Sequence, residues 1–264
     1  MTRVFSFLLA SLLAISLQAQ SPDASAETTA PDSAKAVAIS VEELINNYLE
    51  AIGGVENWQK IESMTFAGMA HQGGMDMPTT VYSMRPKSTK IVVDIMDKVY
   101  VDCTNGDEGW TINPFMGSPD PQRKSKEELE QGMDQEFENP FINYQEKGYQ
   151  AELLGEEEVE GMPTYQVKLT KEDGREYFYF FDEEYFVPVM MRTFIRQGEM
   201  EGMPFEMYFS DYEEVGDVVI AHSIEQRFNG QVIMQITADS IILNDPNIKP
   251  EMFAFPGEEE GNKE

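Results

Sequence analysis

Few side chains in this sequence have the type and spacing needed for covalent or metal chemistry. The two histidines, His71 and His222, stand about 150 residues apart, and neither lies in an HExxH or other metal-ligand spacing. The single cysteine, Cys103, follows Val99 and Val101 in an apolar run and reads as a core residue rather than a nucleophile. No GxSxG elbow, P-loop or GxGxxG is present. Asp102, Asn105 and Asp107 loosely resemble a calcium loop but lack the regular spacing and terminal glutamate of an EF-hand. With 48 carboxylates in 264 residues, acidic pairs arise at any spacing by chance. The runs Glu156–Glu158 and Glu258–Glu260 therefore read as a solvated turn and tail. No base–nucleophile pair emerges. The sequence predicts no catalytic residue, no metal and no cofactor.

The N-terminus reads as an export signal. Met1-Thr2-Arg3 precedes an apolar run from Val4 to Leu17, and the polar break Gln18-Ala19-Gln20 follows, with cleavage expected after Ala19. The run is shorter than the roughly 20 residues a spanning helix needs. No later segment is apolar enough to span, so the processed chain is expected to be non-integral and periplasmic, with secretion as the alternative. A lone cysteine cannot form an internal disulfide, so packing must hold an exported fold together. The net charge of −29 repels nucleic acid and anionic headgroups, which excludes the first as a partner and disfavours the second. A hydrophobic share of 41% is nevertheless too high for a disordered acidic chain. The seventeen methionines are mostly expected in the core, and their excess points mildly to an adaptable apolar cavity.

Beyond the signal (1–19), residues 20–38 form an Ala/Ser/Thr/Pro-rich leader, 39–257 one domain, and 258–264 an acidic tail. In the domain, Ser40 and Glu43 have capping-box spacing, Leu44, Tyr48 and Ile52 recur on one helical face, and Gly53-Gly54 stops the helix. A short helical turn carrying Trp58 follows. From Ile61 the apolar period becomes two, and the chain reads as a meander of about ten or eleven strands. Region 124–147 interrupts it, with a second capping box at Ser125/Glu128 and a short helix opened by Asn139-Pro140 and running through Tyr144. One face is apolar in Tyr165/Val167/Leu169, Tyr177/Tyr179/Phe181, Phe205/Met207/Phe209 and Val232/Met234/Ile236. So long an antiparallel meander curls into a barrel or half-barrel, and so few helices can cover only its concave face.

Three stretches, in order, resemble the LolA/LolB-like family of outer-membrane lipoprotein sorting. They are Arg85-Pro86 after an early strand (VYSMRPKSTKIVV), Asn105-Gly106…Trp110…Asn113-Pro114-Phe115 (NGDEGWTINPF), and the closing Phe253-Ala254-Phe255-Pro256. The helix ending in Gly-Gly and the segment from Gly155 to Arg192 are also similar to relatives of that kind, so the likeness spans about residues 40–256. It implies a mainly β half-open antiparallel barrel with helices across an apolar concave face.

The function so implied is that of a non-enzymatic periplasmic carrier or chaperone. Its partners would be lipoprotein acyl chains or another lipid or amphiphile, and a membrane-bound donor or acceptor protein. Each acyl methylene withdrawn from water contributes about 0.8 kcal/mol, so such a carrier needs no catalytic group. The strong acidity and the glutamate-rich insertion depart from the family pattern, so free lipid stands beside lipoprotein as cargo. An envelope sensor or protein-interaction module on the same half-barrel is the second reading. The resemblance gives Arg85 the role of bonding the helical lid and holding it closed when empty. Leu44, Tyr48, Ile52, Trp58, Phe66, Ile91, Val93, Trp110 and Phe209 are the residues expected to line the cavity.

Overall fold

Ser40 starts the first helix as its sequence requires: its Oγ accepts the Glu43 N–H at 3.1 Å. The computed structural model describes residues 39–116, 118–131, 136–196, 198 and 200–257. The signal, the leader and the acidic tail lie outside the described residues. Helix α1 (Val41–Ala51) ends at Gly53, whose φ of +101° suits glycine, and α2 (Val55–Gln59) follows at once.

The strands then run β1 (Ser63–Gln72), β2 (Met75–Met84), β3 (Ser88–Ile95), β4 (Lys98–Thr104), β5 (Gly109–Asn113) and β6 (Ser118–Arg123). After α3 (Lys126–Gln131) and a crossing segment come β7 (Gln150–Val159), β8 (Met162–Thr170), β9 (Glu176–Asp182) and β10 (Pro188–Phe194). The series ends with β11 (Pro204–Val215), β12 (Val218–Phe228) and β13 (Gln231–Leu243), then a 3₁₀ turn at Pro250–Phe253. Among the described residues these thirteen strands form one antiparallel sheet, ordered β6-β5-β4-β3-β2-β1-β13-β12-β11-β10-β9-β8-β7. The topology is two meanders joined where β1 pairs with β13. The segment between β6 and β7 must therefore carry the chain from one free edge to the other.

Two expectations are corrected here. Among the described residues the strands number thirteen, against an expectation of about ten or eleven. One strand hidden to pattern reading is β6, SPDPQR, whose Pro119 and Pro121 argue against a strand. Among the described residues it pairs only with β5, and an edge strand can point its missing N–H groups away from the ladder. The second correction concerns Asn139 to Tyr144, which forms successive turns rather than a helix. Asn139 Oδ1 accepts the Phe141 N–H at 3.0 Å, an Asx turn, and Asn143 at φ +52° breaks any helical run. The other capping box closes reciprocally in α3: the Glu128 N–H reaches Ser125 Oγ (3.2 Å), and the Ser125 N–H reaches Glu128 Oε2 (2.7 Å).

Candidate ligand-binding face

Residues directly opposite each other in antiparallel strands share a sheet face, so the register traces that face residue by residue. One row runs Leu153–Val167–Tyr179–Met191–Met207–Gln226–Met234 across β7 to β13. A second runs Phe209–Ile224–Ile236–Ala70–Met77 across β11, β12, β13, β1 and β2. A third runs Ile241–Phe66–Val81–Ile91 across β13, β1, β2 and β3. All three belong to the concave face.

Helix α1 covers one part of it. Leu44, Ile45, Tyr48, Leu49 and Ile52 are buried with Phe141 and Ile142 of the crossing segment against Val167, Leu169 and Phe181. The rings interlock: Tyr48 meets Phe141 edge-on at 5.7 Å, and Phe141 meets Phe181 at 5.5 Å. Tyr48 Oη accepts from Asn139 Nδ2, and burial pushes the phenol up to about 12, a shift that this hydrogen bond opposes. Tyr48 therefore stays neutral and acts as an anchor for the crossing segment.

Beyond α1 lies a second cluster on the same face. Ala70, Met77, Val93, Ile95 and Met234 are buried, with Ile91, Tyr100 and Ile236 half-buried against them. Phe66, Val81, Phe209, Ile224 and Ile241 are also half-buried. The result is an apolar band over β11–β13 and β1–β3 whose side chains remain partly open to solvent. Its border at β4 is polar: Asp102 holds Lys124 Nζ at 2.7 Å. Burial, reinforced by Asp102, pushes Tyr100 up to about 12.

The predicted lining residues divide three ways. Leu44, Tyr48 and Ile52 form the seam between α1 and the sheet, with Trp58 packed at its margin and its indole N–H donated to the Ile52 carbonyl (2.9 Å). Phe66, Ile91 and Phe209 belong to the half-buried band, and Val93 is buried in the cluster beside it. Trp110 is on the other face and is corrected here: its row runs Arg123–Trp110–Cys103–Lys90–Tyr82. Its indole N–H is donated to the Phe253 carbonyl at 3.2 Å, so Trp110 and the closing Phe-Ala-Phe segment strap the convex side. Cys103 lies beneath them, and burial pushes its thiol up to about 12, which leaves it no thiolate at neutral pH.

Sequence reasoning missed Val81, Ile224, Ile236 and Ile241. Their period-two spacing was visible, but the paired registers that make them neighbours of Phe66 and Phe209 were not. It also missed Glu138. Arg85, at the end of β2, donates Nε to the Ile61 carbonyl (2.7 Å), Nη2 to the Trp58 carbonyl (3.0 Å) and Nη1 to Glu138 Oε1 (2.9 Å). One guanidinium thus ties the chain leaving α2 and the crossing segment to the sheet. Lys147 adds a second cation to Glu138 at 2.8 Å. Partial burial resists ionisation of Glu138, yet hydrogen bonds from Lys147 and Arg85 outweigh it and hold the carboxyl below its usual range. Among the described residues no group of three or more His, Cys, Asp or Glu side chains could hold a metal ion. No helix among them is long and apolar enough to cross a membrane.

No sequence-family profile matches this chain, and no curated protein does. Solved structures do match. A DUF1329 family protein from Desulfovibrio piger is 13% identical with a TM-score of 0.54, over 81% of this chain and 97% of that one. A domain from Vibrio parahaemolyticus assigned to outer membrane lipoprotein sorting is 13% identical (TM-score 0.53, 80% and 94%). A LolA superfamily protein from Nitrosomonas europaea is 14% identical (TM-score 0.53, 82% and 98%). With the sheet order and the helix on its concave face, these likenesses show that the chain has the LolA-like fold, a half-open antiparallel β-barrel.

Proposed function

We propose that this protein is a non-enzymatic periplasmic carrier that holds the acyl chains of lipoproteins or lipids against its concave face. The observation that carries this reading is the half-buried apolar band of Phe66, Val81, Ile91, Phe209, Ile224 and Ile236, contiguous in register and left uncovered by α1. Such a band withdraws methylenes from water without orienting any reacting atom, and affinity then grows with chain length at about 0.8 kcal/mol per methylene. The lipoprotein-sorting description of the Vibrio parahaemolyticus domain agrees with this use of the fold.

The test is titration with a fluorescent fatty-acyl probe, beside mass spectrometry of lipid that copurifies with the protein. Ile91→Asp places a carboxylate in the band and is expected to weaken the probe at least about tenfold, or 1.4 kcal/mol. Its circular dichroism should match wild type. Saturable binding with no dependence on Ile91 would remove the band from the function.

In this reading Arg85 is the lock that keeps α2 and the crossing segment on the barrel while the face is empty. Arg85→Ala leaves the Trp58 and Ile61 carbonyls and Glu138 without their guanidinium. Stability is expected to fall by about 2 kcal/mol, with faster probe uptake and release in stopped flow and partial rescue by Arg85→Lys. Uptake and release identical to wild type would rule the lock out.

A further inference from the structure

In an antiparallel meander every second turn lies at the same end of the sheet. The turns β10–β11, β12–β13, β1–β2, β3–β4 and β5–β6 are consecutive along one such end. Each exposes a large apolar side chain: Met200 and Met203 in the first, then Val232, Met75, Met96 and Met116. Met96 and Met116 are the most open, at 73% and 71%. The opposite end is occupied differently. There the β2–β3 turn receives the crossing segment through Phe137 N–H to the Pro86 carbonyl (3.2 Å), and α1 meets the β11–β12 hairpin through Val219 N–H to the Ile52 carbonyl (3.0 Å). At the end bearing the methionines the crossing segment reaches the β8–β9 turn, where Lys171 Nζ meets Glu136 Oε2 at 3.3 Å, and the five apolar tips lie beyond that contact in strand order.

We propose that these five hairpin tips form a docking rim for a zwitterionic lipid surface. The tips are two strands apart, about 10 Å, so they present separate points rather than one contiguous patch. A folded protein partner needs a continuous, complementary contact, whereas a fluid lipid interface accepts isolated protrusions. Methionine suits this because its flexible, polarizable chain fits disordered surroundings. Charge selects the lipid class. In sequence the five turns carry Asp76, Asp97, Glu199 and Glu201 against Lys98 and Arg196, and the whole chain stands at −29, so phosphatidylcholine-like headgroups are favoured over anionic ones. The rim goes beyond the carrier reading and requires no acyl ligand on the concave face.

The experiment is flotation of the purified protein with phosphatidylcholine vesicles, repeated with phosphatidylglycerol included. The variants are Met96→Asp/Met116→Asp and, separately, Val232→Asp. Wild type is expected to float with phosphatidylcholine vesicles and less with the anionic ones. The double variant should lose at least tenfold in partition, Val232→Asp less, with unchanged thermal melting. Failure of wild type to float, or equal flotation of the variants, overturns the rim. So does a rim-dependent complex with an envelope protein in the absence of vesicle binding. The fluorescent acyl probe, titrated without vesicles, separates the two ideas: rim variants should bind it as wild type does, and loss of the probe by every form would count against the carrier alone.

Discussion

Gly68→Ala is expected to lower the melting temperature by about 10 °C. A Cβ at this position would lie 1.9 Å from the Thr237 carbonyl oxygen and 2.9 Å from Ala238 Cα. The reason is local: the β1–β13 register shifts between Ala67 and Gly68, and the irregularity presses the two backbones together. Both atoms are backbone, so neither can rotate away as a flexible side chain would. Forcing the strands apart costs roughly 3 kcal/mol or more, and a domain of this size loses about 2–4 °C per kcal/mol. The position makes the loss global, because β1–β13 is the ladder that joins the two meanders. Differential scanning calorimetry checks it; an unchanged melting temperature would mean that the bulge opens freely.

Phe141→Ala is expected to cost about 3–5 kcal/mol, the range for emptying a buried aromatic site. Phe141 is 1% exposed and touches Tyr48, Tyr179 and Phe181, with centroids at 5.7, 4.9 and 5.5 Å. It comes from the crossing segment, so its loss undoes the contact that holds that segment and α1 to β8 and β9. Hydrogen exchange should therefore accelerate in α1 before it does in β12 and β13, whose ladders lie elsewhere. Uniform acceleration across the sheet would instead show that α1 has no separate opening. In the carrier reading the same variant exposes more concave surface, and acyl-probe uptake should quicken.

Local chemistry was legible in the sequence because it depends on near neighbours. Ser40 and Ser125 cap helices, Gly53 ends one, and alternation of apolar and polar residues marks most strands. The half-barrel followed from the length of the meander and the scarcity of helices. β6 escaped because two prolines are tolerated only at a sheet edge, and which strand is an edge depends on the whole topology.

Face was the larger gap. Phe66, Ile91 and Trp110 all sit on strands with clear alternation, and nothing within a strand says which parity turns inward. The structure resolves this through pairings far apart in sequence: β1 with β13 carries the concave row from Phe209 to Met77, and the same ladders put Trp110 on the convex side under Phe253. Arg85 could be singled out in the sequence, but its partner Glu138 lies 53 residues away on a segment with no regular structure. By itself, then, the sequence determined most of the elements, the absence of a recognisable catalytic or metal motif, and the acidic character. The tertiary structure decided which apolar residues share a surface, because burial is a property of where distant strands meet.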